Sequence, residues 1–188
     1  MPSHTGRLVL TTADPLFAPD PDVVRDILSR AGFIGAPLVG ADDAYEAGPE
    51  LLNLLSFAGC AVVLPTPSAG QADEPGCHVS LSGPAPAPRL IFGRNTRGPR
   101  CPWCRARLRD WRDRTRDWLE RPSFGQQCPS CGRIGPPWRW DWKHEGGFGR
   151  LFVLVEEVFP GEAVPTQRLF DLLTRACGSG WRHFYVQD

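Results

Sequence analysis

Apolar residues recur along the chain with periods that predict short strands and helices. An opening strand is predicted at Arg7 to Thr11. Asp20 is suited to cap a helix whose first turn contains Pro21, because its carboxylate can accept hydrogen bonds from amide groups that have no helical partner. The apolar face of this helix is predicted to consist of Val23, Val24, Ile27, Leu28 and Ala31.

The next part of the chain is predicted to contain one helix and three strands. Leucines at 51, 52, 54 and 55 form a broad apolar stripe, which predicts a helix over Pro49 to Phe57 after a loop over Ala36 to Gly48. The three strands are predicted at Cys60 to Leu64, Cys77 to Leu81 and Arg89 to Phe92. An antiparallel meander is the simplest pairing for them.

The end of the chain is predicted to form a strand, a helix and a strand. Leu151 to Phe159 is rich in Val and Phe, which is typical of a strand buried on both faces. A helix is predicted over Pro165 to Cys177, with Gly178 as the left-handed residue that ends it. Trp181 to Val186 is the last predicted strand, and a parallel crossover is expected if the two strands share a sheet.

Composition and charge divide the chain into two parts. Its 188 residues are 41% hydrophobic, enough for a substantial core, while 20 Gly and 20 Pro predict many turns. The formal net charge is zero, but residues 94–150 carry a net +8 and the remainder −8. No apolar run reaches the length of a membrane span, and no opening segment resembles a signal peptide. We therefore expect a soluble, cytoplasmic protein without a membrane partner.

Two cysteine pairs carry the strongest chemical signal. Cys101 and Cys104 form one Cys-x-x-Cys turn, and Cys128 and Cys131 form another after a spacer of 23 residues. Two such turns can bring four thiolates together in the tetrahedral arrangement that structural Zn²⁺ prefers. Because a closed four-sulfur site leaves no position open for water or substrate, it favours a folding role over catalysis.

The two turns resemble those of the zinc-ribbon family. The resemblance covers about residues 99–135, where both turns have Pro after the first Cys and Gly132 follows the last one. A left-handed glycine is expected there, because it lets backbone amides point at sulfur. It implies a zinc-stabilised pair of hairpins, with a longer hairpin arm for the long spacer. We therefore predict an α+β fold with a small mixed sheet, about three helices and an inserted zinc ribbon. The body would comprise residues 1–93 and 150–188, and the insert residues 94–149.

Tryptophans and arginines are concentrated around the cysteines. Six of the seven Trp lie in the basic segment, and Trp138, Trp140 and Trp142 alternate as they would on one face of a strand. This pattern predicts a docking surface formed by these three and by Arg105, Arg107, Arg133 and Arg139. Interleaved Arg and Trp also fit a single-stranded nucleic-acid platform. A third interpretation is that the tryptophans cover the zinc turns and pack on the body.

A thiol-disulfide oxidoreductase is a further alternative. Cys101-Pro102-Trp103-Cys104 resembles the Cys-Pro-Tyr-Cys of glutaredoxins, and Ala163-Val164-Pro165 is similar to the segment that faces it there. Such a nucleophile needs a buried strand before it and a helix after it, and residues 94–100 do not have the composition of a buried strand.

The tail, with Phe-Pro-Gly-Glu-Ala-Val-Pro and Trp-Arg-His-Phe-Tyr-Val-Gln, is similar to that of uncharacterised bacterial proteins of unknown function that also contain a Cys-Pro-x-Cys pair. This resemblance implies no activity beyond the zinc ligands. We predict a non-catalytic zinc-ribbon protein that acts as a protein-interaction or assembly factor. Nucleic-acid binding and thiol-disulfide exchange are the alternatives. The opposite charges of insert and body would also allow a homodimer.

Overall fold

A computed structural model describes residues 6–57, 76–120, 125–158 and 161–187. The strands are β1 (Gly6–Thr12), β2 (Ile34–Pro37), β3 (Ala44–Ala47), β4 (Leu55–Phe57), β5 (His78–Ser82), β6 (Arg89–Phe92), β7 (Gln126–Gln127), β8 (Ile134–Gly135), β9 (Gly146–Gly149), β10 (Phe152–Glu156), β11 (Ala163–Pro165) and β12 (Trp181–Gln187). The helices are α1 (Pro21–Arg30), α2 (Leu51–Leu54), α3 (Trp111–Glu120) and α4 (Gln167–Cys177), with a 3-10 turn at Pro137–Arg139. The α+β prediction is confirmed.

Six of the strands form one sheet with the order β12-β1-β10-β5-β3-β2. Each adjacent pair in this sheet is antiparallel. Because β10 and β12 both run antiparallel to β1 and lie on either side of it, they are parallel to each other. This is the arrangement predicted for the last strand, helix and strand, with β1 inserted between the two strands.

Both faces of the sheet are buried at the strands β1 and β10. On one face, Leu8 and Leu10 of β1 and Val153 and Val155 of β10 belong to the core that includes helices α1 and α4. On the other, Val9 packs in a smaller cluster with Phe152, Leu154, Phe184 and Val186. The prediction of a strand buried on both faces is therefore confirmed for β10, since successive side chains point to opposite sides.

Helix α1 begins at Pro21 as predicted, while α4 begins at Gln167, two residues after the predicted start at Pro165, and ends at Cys177 as predicted. The Asp20 carboxylate accepts a hydrogen bond from the Asp22 amide at 2.9 Å, and Thr166 caps α4 through the amide of Leu169. Gly178 ends α4 with φ 71°, the left-handed conformation that glycine adopts at little steric cost. Within the described residues, no helix has the length and apolar character needed to cross a membrane.

The predictions for residues 36–57 are wrong. The expected loop contains the hairpin β2 and β3, which joins the main sheet through β5. The expected helix over 49–57 is the single turn α2, after which Leu55 becomes extended and begins β4. Strand β4 pairs with β11, which lies more than a hundred residues further along the chain. A long-range strand pairing thus overrides the local helical pattern, as tertiary context often does.

The predicted meander is also wrong. Strand β5 lies in the main sheet between β10 and β3, whereas β6 pairs with β9 in a separate two-stranded sheet. The strand predicted at Cys60 to Leu64 lies outside the described residues.

The base of residues 94–149 covers the outer edge of β12. The Arg94 amide donates to the Gln187 carbonyl at 2.9 Å, and the Tyr185 amide donates to the His144 carbonyl at 2.9 Å. Asn95 contacts both residues of the strand, because it donates to the Tyr185 carbonyl and accepts from the Gln187 amide. An edge strand protected in this way is not free to pair with another chain.

A histidine pair adds a titratable contact at this junction. The rings of His144 and His183 stack with centroids 5.3 Å apart, and Phe170 of α4 stacks on His183 at 5.9 Å. Burial and the neighbouring His144 lower the pKa of His183. The folded protein therefore favours the neutral ring, and the stability that this provides is present above the ordinary histidine pKa of about 6.5 and lost as the pH falls below it.

We expect His183→Phe, which keeps an aromatic ring on Phe170, to lose less stability than the wild type on acidification. Urea unfolding at neutral and mildly acidic pH measures the free energy of unfolding for both proteins. An equal decrease in both would show that His183 does not contribute to the acid sensitivity.

Candidate metal centre

The two cysteine turns have the same backbone hydrogen bonds. In the first, the Cys101 amide donates to the Ala106 carbonyl at 2.8 Å and the Arg105 amide donates to the Cys101 carbonyl at 3.0 Å. In the second, the Cys128 amide donates to the Arg133 carbonyl and the Gly132 amide to the Cys128 carbonyl, both at 2.9 Å. We call these turns the knuckles. Each holds its two cysteines on one tight loop.

Each knuckle also has a left-handed residue four positions after its first cysteine. Gly132 has φ 72°, as expected from the sequence, and Arg105 occupies the equivalent place with φ 63°. Arginine is unusual in this conformation. Its guanidinium is held by Asp141 at 2.8 Å. The left-handed conformation of Arg105 was not predicted, although its spacing from Cys101 matches that of Gly132 from Cys128.

The knuckles bring the four cysteine sulfurs together. All four Sγ atoms lie within 4.8 Å of one another. Two contacts cross between the knuckles: Cys101 to Cys131 at 3.8 Å and Cys104 to Cys128 at 3.6 Å. A tetrahedron with zinc–sulfur bonds of about 2.3 Å has edges of about 3.8 Å, so the separations fit a four-coordinate metal. They are far longer than a disulfide bond of about 2.05 Å.

The acidities of the thiols differ within the cluster. Burial acts to raise the pKa of Cys128, but the amides of Cys131 and Ser130 and the adjacent sulfur of Cys104 lower it to about 7. At Cys104 the backbone at Ala106 acts to lower the pKa, but burial and the other three sulfurs raise it to about 11. Four thiolates this close repel one another, so full ionisation requires a cation among them.

The four candidate metal ligands lie at the margin of a small aromatic core. Cys101 and Cys128 are buried in it, whereas Cys104 and Cys131 are exposed. The buried apolar members are Leu90, Leu108, Trp111, Trp118, Trp140, Trp142 and Phe148. Trp142 is central to this core, because its ring makes edge-to-face contacts with Trp111 at 5.3 Å and with Trp118 at 5.8 Å.

Helix α3 lies in the spacer between the knuckles and contributes Trp111 and Trp118 to this core. The sequence analysis predicted a longer hairpin arm for this spacer, and that prediction is wrong. The two tryptophans are seven residues apart, which places them two helical turns apart on the same face. This spacing was the signal that could have identified the helix. Strands β7 and β8, of two residues each, form a hairpin around the second knuckle.

The three alternating tryptophans do not lie on one strand. Residues 137–139 form a 3-10 turn, and the chain continues extended at Trp140. Trp140 and Trp142 are each only 3% exposed, while Trp138 is half-buried. The prediction that one strand carries all three is therefore wrong, although all three pack in the same aromatic core. The indole N–H of Trp142 donates to the Pro137 carbonyl at 3.0 Å, which ties this segment together.

The four arginines predicted for a binding surface are all exposed. They are Arg105, Arg107, Arg133 and Arg139. Arg105 shares Asp141 with Lys143, whose ammonium lies 2.8 Å from the same carboxylate oxygen. Burial acts to raise the pKa of Asp141, but its contacts with Lys143 and Arg105 lower it overall. Exposure leaves these guanidinium groups accessible, and their role in binding stays a prediction.

The first knuckle lacks the surroundings of a thioredoxin-like nucleophile. Arg100 forms only isolated bridges to Arg107 and Asp141, so no strand leads into Cys101. No helix directly follows Cys104, since α3 begins at Trp111. Ala163–Pro165 is strand β11, paired with β4 in its own two-stranded sheet.

No protein-family model, curated protein or solved structure matches this chain. The resemblance to zinc ribbons thus depends on the two knuckles and on the convergence of their sulfurs. The similarity to uncharacterised bacterial proteins stays a prediction.

The left-handed positions generate a matched test. Gly132→Ala places a Cβ in open space but at positive φ, so we expect it to lower the free energy of unfolding by about 1 kcal/mol. Arg105→Ala changes no backbone preference of this kind and removes only a surface ion pair. We expect this loss to lower the free energy of unfolding by about 0.5 kcal/mol. Urea unfolding of both variants measures the difference. Equal losses would contradict the cost assigned here to a side chain at the left-handed position of Gly132.

Proposed function

We propose that Cys101, Cys104, Cys128 and Cys131 bind one Zn²⁺ as thiolates, and that the metal folds residues 94–149 rather than catalysing a reaction. The observation that supports this proposal is the convergence of four sulfurs at separations that match a zinc–thiolate tetrahedron. Thiolate ligands select zinc among the common divalent ions, and four of them complete its coordination.

The construction of the segment supports a folding role. Its aromatic core is small, and Cys101 and Cys128 are part of that core. Small units of this size need a metal or disulfides to supplement burial of apolar surface. Structural zinc supplies on the order of 10 kcal/mol in such modules. The thiolates would persist in a reducing compartment, which agrees with the expected cytoplasmic location.

We further propose that the zinc-folded segment acts as a protein-interaction or assembly factor. Two large apolar side chains at the knuckles are exposed to solvent, Trp103 at 39% and Ile134 at 64%. Arg105, Arg107, Arg133 and Arg139 are exposed in the same segment, and Trp138 is half-buried. Exposed Trp and Arg are the residues most often found at the centres of protein interfaces.

Nucleic-acid binding is the second candidate, favoured by the same exposed arginines and by Trp103. Burial of Trp140 and Trp142 removes two of the rings that a base-stacking platform would use. Titration with single-stranded oligonucleotides at two salt concentrations distinguishes the candidates. Binding that weakens steeply with salt would favour nucleic acid over a protein partner.

Metal analysis provides the first test. We expect about one zinc per wild-type chain and its loss in Cys128→Ser, with no loss in the control Cys177→Ser, because Cys177 lies outside the cluster. Chelation should shift tryptophan emission to longer wavelength, since Trp118 and Trp142 would leave the core. Equal zinc in Cys128→Ser and wild type would contradict the assigned ligands.

Affinity capture with nuclease-treated extracts provides the second test. We expect Trp103→Ser to keep its zinc and lose proteins that the wild type captures, because the exposed indole supplies contact area without supporting the core. Leu52→Ser is the matched control, since Leu52 is 47% exposed on the body. The same proteins captured by wild type and Trp103→Ser would argue against this docking surface.

A further inference from the structure

The knuckles form a surface that combines apolar and basic side chains. The Trp103 ring lies against Gly135, where an added Cβ would come within 2.6 Å of it. Ile134 precedes Gly135 in β8, so its exposed side chain points to the opposite side of the strand from Trp103. We call Trp103, Arg107 and Arg133 the knuckle face. All three are exposed.

The body has an open cleft of opposite character. It lies between α1 and the hairpin of β2 and β3, with a volume of about 340 Å³. Ile34, Pro37 and Tyr45 supply apolar surface in it. Asp22 and Asp26 supply carboxylates, and Arg25 supplies a guanidinium that pairs with Asp22. This volume is within the range of about 300 to 1,000 Å³ that holds sizeable groups in proteins, and it would admit an indole ring.

The charges around the cleft are not balanced within the chain. Residues 13–50 contain eight Asp and Glu but only two Arg, a net charge of −6. Arg25 pairs with Asp22 and Asp43, and Arg30 pairs with Asp26. Among the described residues, the ion pairs of this segment therefore stay inside it. Within residues 94–149, Arg105 pairs with Asp141 and Arg114 pairs with Asp110.

We propose that the knuckle face of one copy docks on the acidic cleft of a second copy of this chain. Trp103 is the anchor that enters the cleft, and Arg107 and Arg133 meet the carboxylates at its rim. The charge complementarity of the two surfaces is the reason to choose a second copy as the occupant. Two reciprocal contacts of this kind close a dimer. The inference depends on the zinc-folded segment proposed above.

Sedimentation velocity of the zinc-loaded full chain tests the association. We expect a concentration-dependent dimer that weakens between about 0.1 M and 1 M salt, where the Debye length falls from about 10 Å to about 3 Å. Trp103→Ala should raise the dissociation constant more than about tenfold, as loss of an anchor does. The control Leu52→Ala should leave it unchanged. A wild type that stays monomeric at every concentration would overturn the inference.

A charge exchange provides the decisive comparison. Arg107→Glu with Arg133→Glu reverses the knuckle face, and Asp26→Arg with Glu46→Arg reverses the cleft and its rim, where Glu46 lies beside Gly35. Each double variant alone should be monomeric, because both of its surfaces then have the same sign. An equimolar mixture restores opposite charges at both contacts, so it should form the dimer.

Circular dichroism and zinc content, measured on the same samples, verify that each variant is folded. Folded, zinc-loaded variants that do not associate when mixed would overturn the dimer while leaving the proposed function intact. Absence of zinc from the wild type would instead contradict the proposed function. Reversal of Arg107 and Arg133 that abolishes oligonucleotide binding, with no effect on sedimentation, would identify nucleic acid as the occupant and overturn the second copy.

Discussion

The convergence of four cysteine sulfurs is the constraint on which the arrangement of residues 94–149 depends. Thiolates within 4.8 Å of one another repel, so their arrangement is consistent only with protonated thiols or with a bound cation. A cation at this point would join two knuckles that the chain separates by a helix. Because Cys101 and Cys128 also belong to the aromatic core, the same contacts position Trp111, Trp118 and Trp142.

Residues 94–149 are connected to the main sheet by hydrogen bonds as well as by the chain. Arg94, Asn95 and His144 satisfy the outer edge of β12, and Arg182 of that strand donates to the Phe148 carbonyl at 2.9 Å. Gly147 leaves room for this guanidinium, since an added Cβ would lie 2.6 Å from it. The edge strand of the main sheet is therefore covered by the segment whose folding we attribute to zinc.

Local signals and long-range packing account for different parts of the structure. Asp20, Thr166 and Gly178 act through neighbouring amides and carbonyls, so the ends of α1 and α4 agree with prediction or lie within two residues of it. Leu55 continues the apolar stripe that predicted a helix, yet residues 55–57 pair with Ala163–Pro165. The alternation of Trp138, Trp140 and Trp142 indicated a strand, but burial of two indoles in the aromatic core decides their arrangement.

The sequence by itself determined the α+β class, the pairing of cysteines into two knuckles and the left-handed Gly132, because each depends on residues a few positions apart. The tertiary structure confirmed that the sulfurs of both knuckles meet, as the two turns predicted. It alone decided that a helix occupies the spacer and that Trp103 is exposed while Trp140 and Trp142 are buried. These features depend on which distant side chains compete for the same space, and no short-range pattern records that competition.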